Sequence, residues 1–117
     1  VPQTSMVRGV CFGRQGKLDE AEKALMHAYE IDAGNPTIAV NLTDILYRRG
    51  EYERARFYIR RVNASQELAN TESLWLAAKI EHRLSNRQGE RDFGNQLRNR
   101  FPSSREAVAF EAGRFDE

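Results

Sequence analysis

The sequence has few residues that form disulfides or interrupt helices, and it has no long apolar run that could span a membrane. It contains one cysteine and three prolines, and no apolar run approaches the roughly 18 residues of a membrane-spanning helix. Cys11 alone cannot form an internal disulfide, which leaves the redox compartment open. We expect Cys11 to be a small buried apolar side chain, since it lies inside a predicted helix beside Val10 and Phe12.

The charge is almost balanced, which removes one general reason for binding polyanions. The 18 basic and 17 acidic residues give a net charge of +1, too little to attract nucleic acid or an anionic membrane by itself. Charged residues are 30% and hydrophobic residues 40% of the chain, and no segment is of low complexity, so we expect a folded chain. Its 117 residues correspond to one domain.

The chain also lacks the patterns of catalytic and metal sites. His27 and His82 lie far apart in the sequence, on different predicted helices, with no cysteine or acidic residue at a metal-binding spacing. Cys11 has no partner pair for thiol chemistry, and the glycines near the N-terminus lie at helical positions and not in a phosphate-binding loop. We therefore expect no enzyme, no metal ion and no cofactor.

The most informative stretch is Asn35–Asn63, which predicts two amphipathic helices joined by a tight turn. Asn35 can cap the first helix and Pro36 suits its first position, because the proline ring lacks an N–H that would remain unbonded there. Gly50 can end this helix, and the second begins near Tyr52. One apolar stripe follows the first helix, at Ile38, Leu42, Ile45 and Leu46. A single hairpin cannot bury this stripe, so it needs neighbours of the same shape.

The neighbouring stretches repeat this pattern with a period of about 34 residues. A shift by this period towards the N-terminus aligns residues of the same kind, in the pairs Gly16–Gly50, Ala21–Ala55, Leu25–Ile59 and Ala28–Val62. A shift towards the C-terminus aligns Leu76 with Leu42 and Ile80 with Leu46. A slip of one residue in this third copy fits about as well.

A helical hairpin with this period, about 34 residues, resembles the tetratricopeptide repeat (TPR) family. The matching residues are Gly9, Phe12, Gly16, Ala21, Leu25 and Ala28 in the first repeat and Leu42, Leu46, Gly50, Tyr52 and Ala55 in the second. The resemblance implies an all-α fold, a right-handed superhelix of three repeats and a C-terminal capping helix in one domain over residues 1–117. The expected boundaries are 2–35, 36–69 and 70–102 for the repeats and 104–114 for the cap.

Apolar spacing places the other helices at about residues 3–14, 18–31, 71–84 and 86–100. The helix that contains Trp75 is apolar nearly all round, so we expect it to pack on two sides and Trp75 to lie in the core. Ser103 and Glu106 form a capping-box signature, which predicts the start of the last helix. Because the sequence opens without methionine, we interpret it as a piece of a longer protein.

A stack of such hairpins has a concave face that is lined by the first helix of each repeat. The predicted lining residues are Met6, Val10 and Arg14 in the first repeat, Thr37, Val40, Asp44, Tyr47 and Arg48 in the second, and Leu74, Ala78, Glu81 and His82 in the third. This apolar strip with an arginine and acidic border suits an extended or helical peptide, anchored by Tyr47 and Arg48. The alternative is that these positions are solvated and that the partner binds elsewhere.

Two other classes of partner are less favoured. RNA binding is suggested by six arginines of the central hairpin, but acidic residues lie between them and few aromatic side chains stand beside them. Chaperone adaptors of the TPR family hold a peptide carboxylate with Lys and Asn in the first repeat, where this sequence has Met6 and Val10. We therefore expect a protein partner, no nucleic acid and no membrane contact by this stretch. The outward face of the first helix is a candidate homodimer surface.

Several phrases resemble more narrowly the C-terminal half of the type IV pilus pilotin lipoproteins of the PilF/PilW type. They are PTIAVNLTDILYRRGEYERARFY, ESLWLAAKIEHRL and GNQLRNRFPSSREAVAFEAGRFDE. The resemblance implies a parent protein with further repeats upstream, held by a lipid at the periplasmic face of the outer membrane. It also implies a role in bringing secretin subunits to that membrane and assembling them.

Overall fold

The computed structural model describes all 117 residues and contains only helices. The seven helices are α1 (Pro2–Arg14), α2 (Leu18–Ile31), α3 (Pro36–Arg48), α4 (Tyr52–Asn63), α5 (Thr71–Arg83), α6 (Arg87–Arg100) and α7 (Arg105–Glu111). The all-α prediction is confirmed, and the helices follow the predicted order of three hairpins and one further helix.

The spacing between repeats is not uniform along the chain. The first helices of the three hairpins begin at Pro2, Pro36 and Thr71, so the second interval is one residue longer than the first. The residues with positive φ in the hairpin turns, Gly16, Gly50 and Ser85, follow the same spacing. The extra residue lies between the start of α4 and the start of α5. The one-residue slip is therefore the correct register for the third hairpin.

Side-chain caps fix the start of several helices. Asn35 accepts a hydrogen bond from the backbone N–H of Thr37 at 2.9 Å, and Asn70 and Ser73 form a reciprocal capping box at α5. The predicted cap of α7 is wrong by one residue, because Ser104 and not Ser103 accepts from the N–H of Ala107, at 3.0 Å. Helix α7 is also shorter than predicted, ending at Glu111.

The chain divides into two compact units, residues 1–58 and residues 59–117, with the boundary inside α4. In the first unit, α2 packs against α1 and α3. A β-carbon at Gly9 would lie 2.5 Å from Cγ of Leu25, and one at Gly13 would lie 2.9 Å from Cδ1 of Ile45. Helix α1 can therefore approach α2 and α3 closely only because these two positions have no side chain.

This packing also decides the position of Cys11. The side chain is exposed, so the prediction of a buried cysteine is wrong. Gly9 and Gly13 define the buried face of α1, and Cys11 lies on the other side with Val7, which is 56% exposed. Each residue advances a helix by about 100°, so Cys11 is turned away from the face that contains its neighbours.

In the second unit, α5 is the central helix, as its apolar sequence predicted. Eight of its residues are buried, and α6 and α7 both pack against it. The apolar cluster consists of Ala69, Leu74, Trp75, Ala78, Leu97, Ala107 and Ala109, with Phe93, Phe101, Phe110 and Phe115 packed against it. Trp75 lies in this cluster, as predicted. Helix α7 approaches α6 at Gly94, where a β-carbon would overlap the ring of Phe110.

Replacement of Gly94 by alanine should therefore destabilise the second unit. The added methyl group must displace the Phe110 ring, and overpacking of this kind costs about 1–3 kcal/mol, which exceeds the helix-propensity gain of up to about 1 kcal/mol. We expect the free energy of unfolding to fall by about 1–2 kcal/mol. Urea unfolding followed by the fluorescence of Trp75, the only tryptophan, measures this change.

Asn99→Ala is the matched control, because Asn99 is an exposed position on the same helix. It should leave stability unchanged or raise it by a few tenths of a kcal/mol, about the difference in helix propensity. A Gly94→Ala protein as stable as Asn99→Ala would show that Phe110 does not need the space at Gly94.

Candidate functional site

Eight of the predicted groove residues lie on α1 and α3 of the first unit. Their exposure varies: Arg14, Thr37 and Arg48 are exposed, Met6, Val10, Asp44 and Tyr47 are half-buried, and Val40 is buried. The apolar side chains Met6, Val10 and Val40 are therefore less exposed than the two arginines at the ends of the helices. Whether these residues bind a partner remains a prediction.

Arg48 connects the ends of the two helices. Its Nη2 donates to the backbone carbonyl of Gly13 at 2.8 Å, and its Nη1 lies 3.7 Å from the carboxylate of Asp44. The last carbonyls of a helix have no partner within the helix, so a guanidinium there is favourable both as a donor and as a positive charge. Arg48 thus has a structural role in addition to any contact with a partner.

Tyr47 is the other predicted anchor. Its ring packs edge-on against Tyr52, with ring centroids 5.5 Å apart and an interplanar angle of 61°. Such a contact orients the ring and leaves it half-buried. An aromatic ring held in one orientation loses little conformational entropy when it contacts a partner.

In the third hairpin, three of the predicted groove residues are in fact core residues. Leu74 and Ala78 are fully buried and Glu81 is 3% exposed. The prediction kept the spacing of the first two hairpins, whereas the spacing that is longer by one makes Trp75, Lys79 and His82 the counterparts of Val40, Asp44 and Tyr47. The start of α5 at its cap, Asn70, was the sequence signal that could have corrected the register.

The corrected positions form an aromatic cluster around Phe115, which sequence reasoning did not identify. The Phe115 ring stacks on His82, with centroids 4.0 Å apart and 7° between planes, and on Trp75, at 5.5 Å and 24°. Phe110 contacts it edge-on at 6.2 Å. The ammonium of Lys79 lies 5.6 Å from the centroid of the Trp75 ring. No periodic pattern reaches Phe115, since it follows the last helix.

A second set of charged residues joins α2 to the turn between α3 and α4. Glu22 accepts hydrogen bonds from Arg49 and from Arg54, the latter at 2.9 Å, and Glu51 pairs with the same two arginines at 3.0 and 2.9 Å. Asp19 lies 2.9 Å from Arg49. The two guanidinium groups are therefore largely neutralised by the three carboxylates.

These contacts change the pKa of the Glu22 carboxyl. Burial alone would raise this pKa, but the hydrogen bonds and charges of Arg54 and Arg49 outweigh burial, and the net pKa is lowered. The hydrogen bonds that Arg54 donates to Glu51 and to Glu22 raise the pKa of Arg54, and the hydrogen bond that Arg49 donates to Glu22 raises the pKa of Arg49. The carboxylate therefore stabilises the first unit above its ordinary pKa, and this stabilisation is lost as the pH falls through the lowered value.

Two further features bear on what the chain can do. No group of three or more His, Cys, Asp or Glu side chains is arranged to hold a metal ion. None of the seven helices has the length and apolar character that crossing a membrane requires.

Comparison with known proteins identifies relatives in sequence and in fold. A family profile described as "Tetratricopeptide repeat" matches residues 14–79, more than half of the chain. No curated protein matches the chain in sequence.

Three solved structures resemble the fold closely. PilW, described as a widely conserved type IV pilus biogenesis factor, is 25% identical over 90% of this chain, with a TM-score of 0.81. PilF of Pseudomonas aeruginosa is 24% identical over 96%, with a TM-score of 0.77. The chain spans about half the length of both pilus proteins, 48% and 51%. The first TPR domain of Spaghetti (RPAP3), solved with an HSP90 peptide, is 17% identical over 98% of this chain, with a TM-score of 0.86. The match covers 90% of that domain, and at this identity it shows a shared fold alone.

The Glu22 contacts generate a test that depends on pH. Glu22→Gln removes the charge and should lower the free energy of unfolding by about 1 kcal/mol at neutral pH. This value lies between the contributions to stability that are typical of exposed and of buried ion pairs. The difference from the wild-type chain should shrink as the pH is lowered from about 7 to about 3, because Glu22 of the unfolded wild-type chain takes up a proton near its ordinary pKa while the folded chain resists protonation. Urea unfolding followed by circular dichroism measures it at each pH.

Glu53→Gln is the matched control, because Glu53 also pairs with an arginine, Arg56, but its side chain is 75% exposed. We expect little change at any pH. A loss for Glu22→Gln that is the same at neutral and acidic pH would contradict an electrostatic role for Glu22.

Proposed function

The chain belongs to the tetratricopeptide repeat family, and on this premise we propose that it is a protein–protein interaction scaffold in type IV pilus biogenesis. Proteins of this family are generally non-catalytic scaffolds that bind protein partners. The finer proposal is that the parent protein assists secretin subunits in reaching the outer membrane and assembling there.

The observation that supports the pilus assignment is the likeness to PilW. It covers 90% of this chain at 25% identity with a TM-score of 0.81. The likeness to PilF has a similar extent and agrees with it in fold. Because the chain spans half of each of these proteins, the activity of a whole pilus factor is proposed for the parent and not for this stretch alone.

A protein partner fits the charges of the central hairpin better than RNA does. Arg49 and Arg54 pair with Glu22 and Glu51, and Arg56 pairs with Glu53 at 3.2 Å. Arginines that are neutralised by carboxylates contribute little to binding a phosphate backbone, which depends on unpaired positive charge. This pairing is why RNA binding takes second place.

The proposed contact surface in the first unit is the face of α3 that carries Thr37, Tyr47 and Arg48, with Met6 and Val10 on α1. It combines an oriented aromatic ring, a fixed guanidinium and half-buried apolar side chains, which are the residue types that dominate binding energy at protein interfaces. The proposed location is the periplasmic face of the outer membrane, with a lipid anchor supplied by the parent.

The test is a pull-down from periplasmic and outer-membrane extract with the lipid-free parent protein. The variant Tyr47→Ala/Arg48→Glu removes both anchors and should reduce recovery of the secretin at least about tenfold, since two interface hot spots are lost. Arg48 also bonds the end of α1, so Thr37→Arg is a second variant that obstructs the same face without breaking that bond. Circular dichroism checks that each variant is folded.

Arg105→Glu is the control, because it reverses an arginine whose side chain is 85% exposed in the second unit. It should recover as much secretin as the wild-type chain. Undiminished recovery of the secretin by both α3 variants would show that the contact lies elsewhere on the scaffold. Absence of any secretin from the wild-type pull-down would overturn the pilus assignment, and recovery of nucleic acid that disappears at high salt would favour RNA binding.

A further inference from the structure

The face of α5 that corresponds to the predicted peptide groove is covered by the chain's own C-terminal residues. We propose that Trp75, His82 and Phe110 form a binding site for an aromatic side chain followed by acidic residues, which Phe115 occupies and which a partner polypeptide of the same chemistry takes by displacing it. The proposal rests on the proposed scaffold function and names the kind of partner segment that the third hairpin accepts.

The geometry is that of a seat for one ring, and we call Trp75, His82 and Phe110 together the Phe115 seat. Phe115 lies almost parallel to His82 at 4.0 Å and is stacked on Trp75 at 5.5 Å, while Phe110 closes the edge at 6.2 Å. The imidazole is oriented by its Nδ1, which is 2.9 Å from a carboxylate oxygen of Glu90. Stacked and edge-on contacts of this kind select an aromatic ring over an aliphatic side chain.

The register supports a binding role for this seat. Trp75 and His82 are the counterparts in the third hairpin of Val40 and Tyr47 in the second. The first helix of each repeat is the element that carries ligand contacts in helical-repeat proteins. The ring of Phe115 therefore lies where a peptide side chain would lie.

Charges around the seat fit the residues that follow Phe115. Lys79 lies over the Trp75 ring at 5.6 Å, and the cavity beside His82, about 450 Å³ in volume, is lined by Arg87 and Arg91 together with Ser85 and Glu90. Arg87 and Arg91 outnumber Glu90 in this cavity, and this excess of positive charge attracts a segment with negative charge. The chain's own occupant has this composition, because Phe115 is followed by Asp116 and Glu117.

The occupying segment is held mainly by its one aromatic ring. Its backbone bonds are local, from Gly113 to Phe110 at 3.0 Å and from Arg114 to Ala109 at 2.9 Å, and the Arg114 side chain pairs with Glu117 at 3.1 Å. All residues from 111 to 117 other than Phe115 are exposed. Helix α7 is anchored separately, by buried Ala107 and Ala109. Release of Phe115 therefore leaves α7 in place, and exposed segments with few contacts open at low cost.

The test uses the whole chain with Phe115→Ala and a capped peptide, acetyl-Ala-Gly-Arg-Phe-Asp-Glu, which copies the C-terminal residues. Trp75 is the only tryptophan, so its fluorescence reports occupation of the seat. We expect a saturable change in the variant and at least about tenfold weaker binding to the wild-type chain, where Phe115 competes at a high effective concentration. The imidazole signals of His82 in NMR spectra should move with the same saturation.

Four controls separate a binding site from simple packing. The peptide with alanine in place of phenylalanine should not bind, and the peptide with Asn-Gln in place of Asp-Glu should bind more weakly and with less dependence on salt. Phe57→Ala removes a phenylalanine that is 58% exposed in the first unit and should behave as wild type. His82→Ala combined with Phe115→Ala should weaken peptide binding by removing the stacked imidazole.

A folded Phe115→Ala chain whose Trp75 fluorescence shows no saturable change with millimolar peptide would overturn the proposal. Phe115 would then have only a packing role against the core. Equal binding by wild type and variant would overturn it too. If Phe115→Ala does not fold, Phe115→Leu keeps apolar volume without ring stacking, and the peptide should still bind it more tightly than wild type. Peptide binding and secretin recovery are independent measurements, so failure of one is distinguishable from failure of the other.

Discussion

The close approach of helices at positions without side chains is the constraint on which the structure depends. Each hairpin has an apolar stripe that it cannot bury alone, so every helix must come near a neighbour. Gly9 and Gly13 permit this for α1, and Gly94 permits it for α7, where the ring of Phe110 fills the space of the missing side chain. The glycines therefore determine which faces of these helices are buried and, by exclusion, which faces can meet a partner. The exposed position of Cys11 follows directly from this.

The fold could be predicted from the sequence because helical periodicity and caps repeat across the whole chain. In the third hairpin the predicted site was displaced by one residue, because the apolar pattern alone does not decide between two registers, and only the cap at Asn70 distinguishes them. An error of one residue turns a helix position by about 100°, which is enough to exchange a surface residue for a core residue. The buried Glu81 was therefore predicted at the position that the exposed His82 holds. Phe115 was missed for another reason, since a single aromatic residue beyond the last helix has no period to reveal it.

The arginines of the central hairpin illustrate how far a count of charges can mislead. In sequence, Arg49 and Arg54 belong to a basic run that suggests a polyanion partner. In the structure they join α2 to the α3–α4 turn through Glu22, which belongs to the preceding hairpin. Only the fold shows that these charges are used within the protein, and this shifts the balance of functions towards binding another protein.

The extra residue before α5 has a consequence for how such a protein can change during evolution. A loop absorbs an insertion at little entropic cost, because the cost of closing a loop grows slowly with its length. The face that a repeat presents is set by where its own first helix begins, so an insertion in the loop changes neither the helix nor its packing. Homologous repeats can thus drift in length while each retains its contacts, and alignments that impose one fixed period on them will assign their surface residues wrongly.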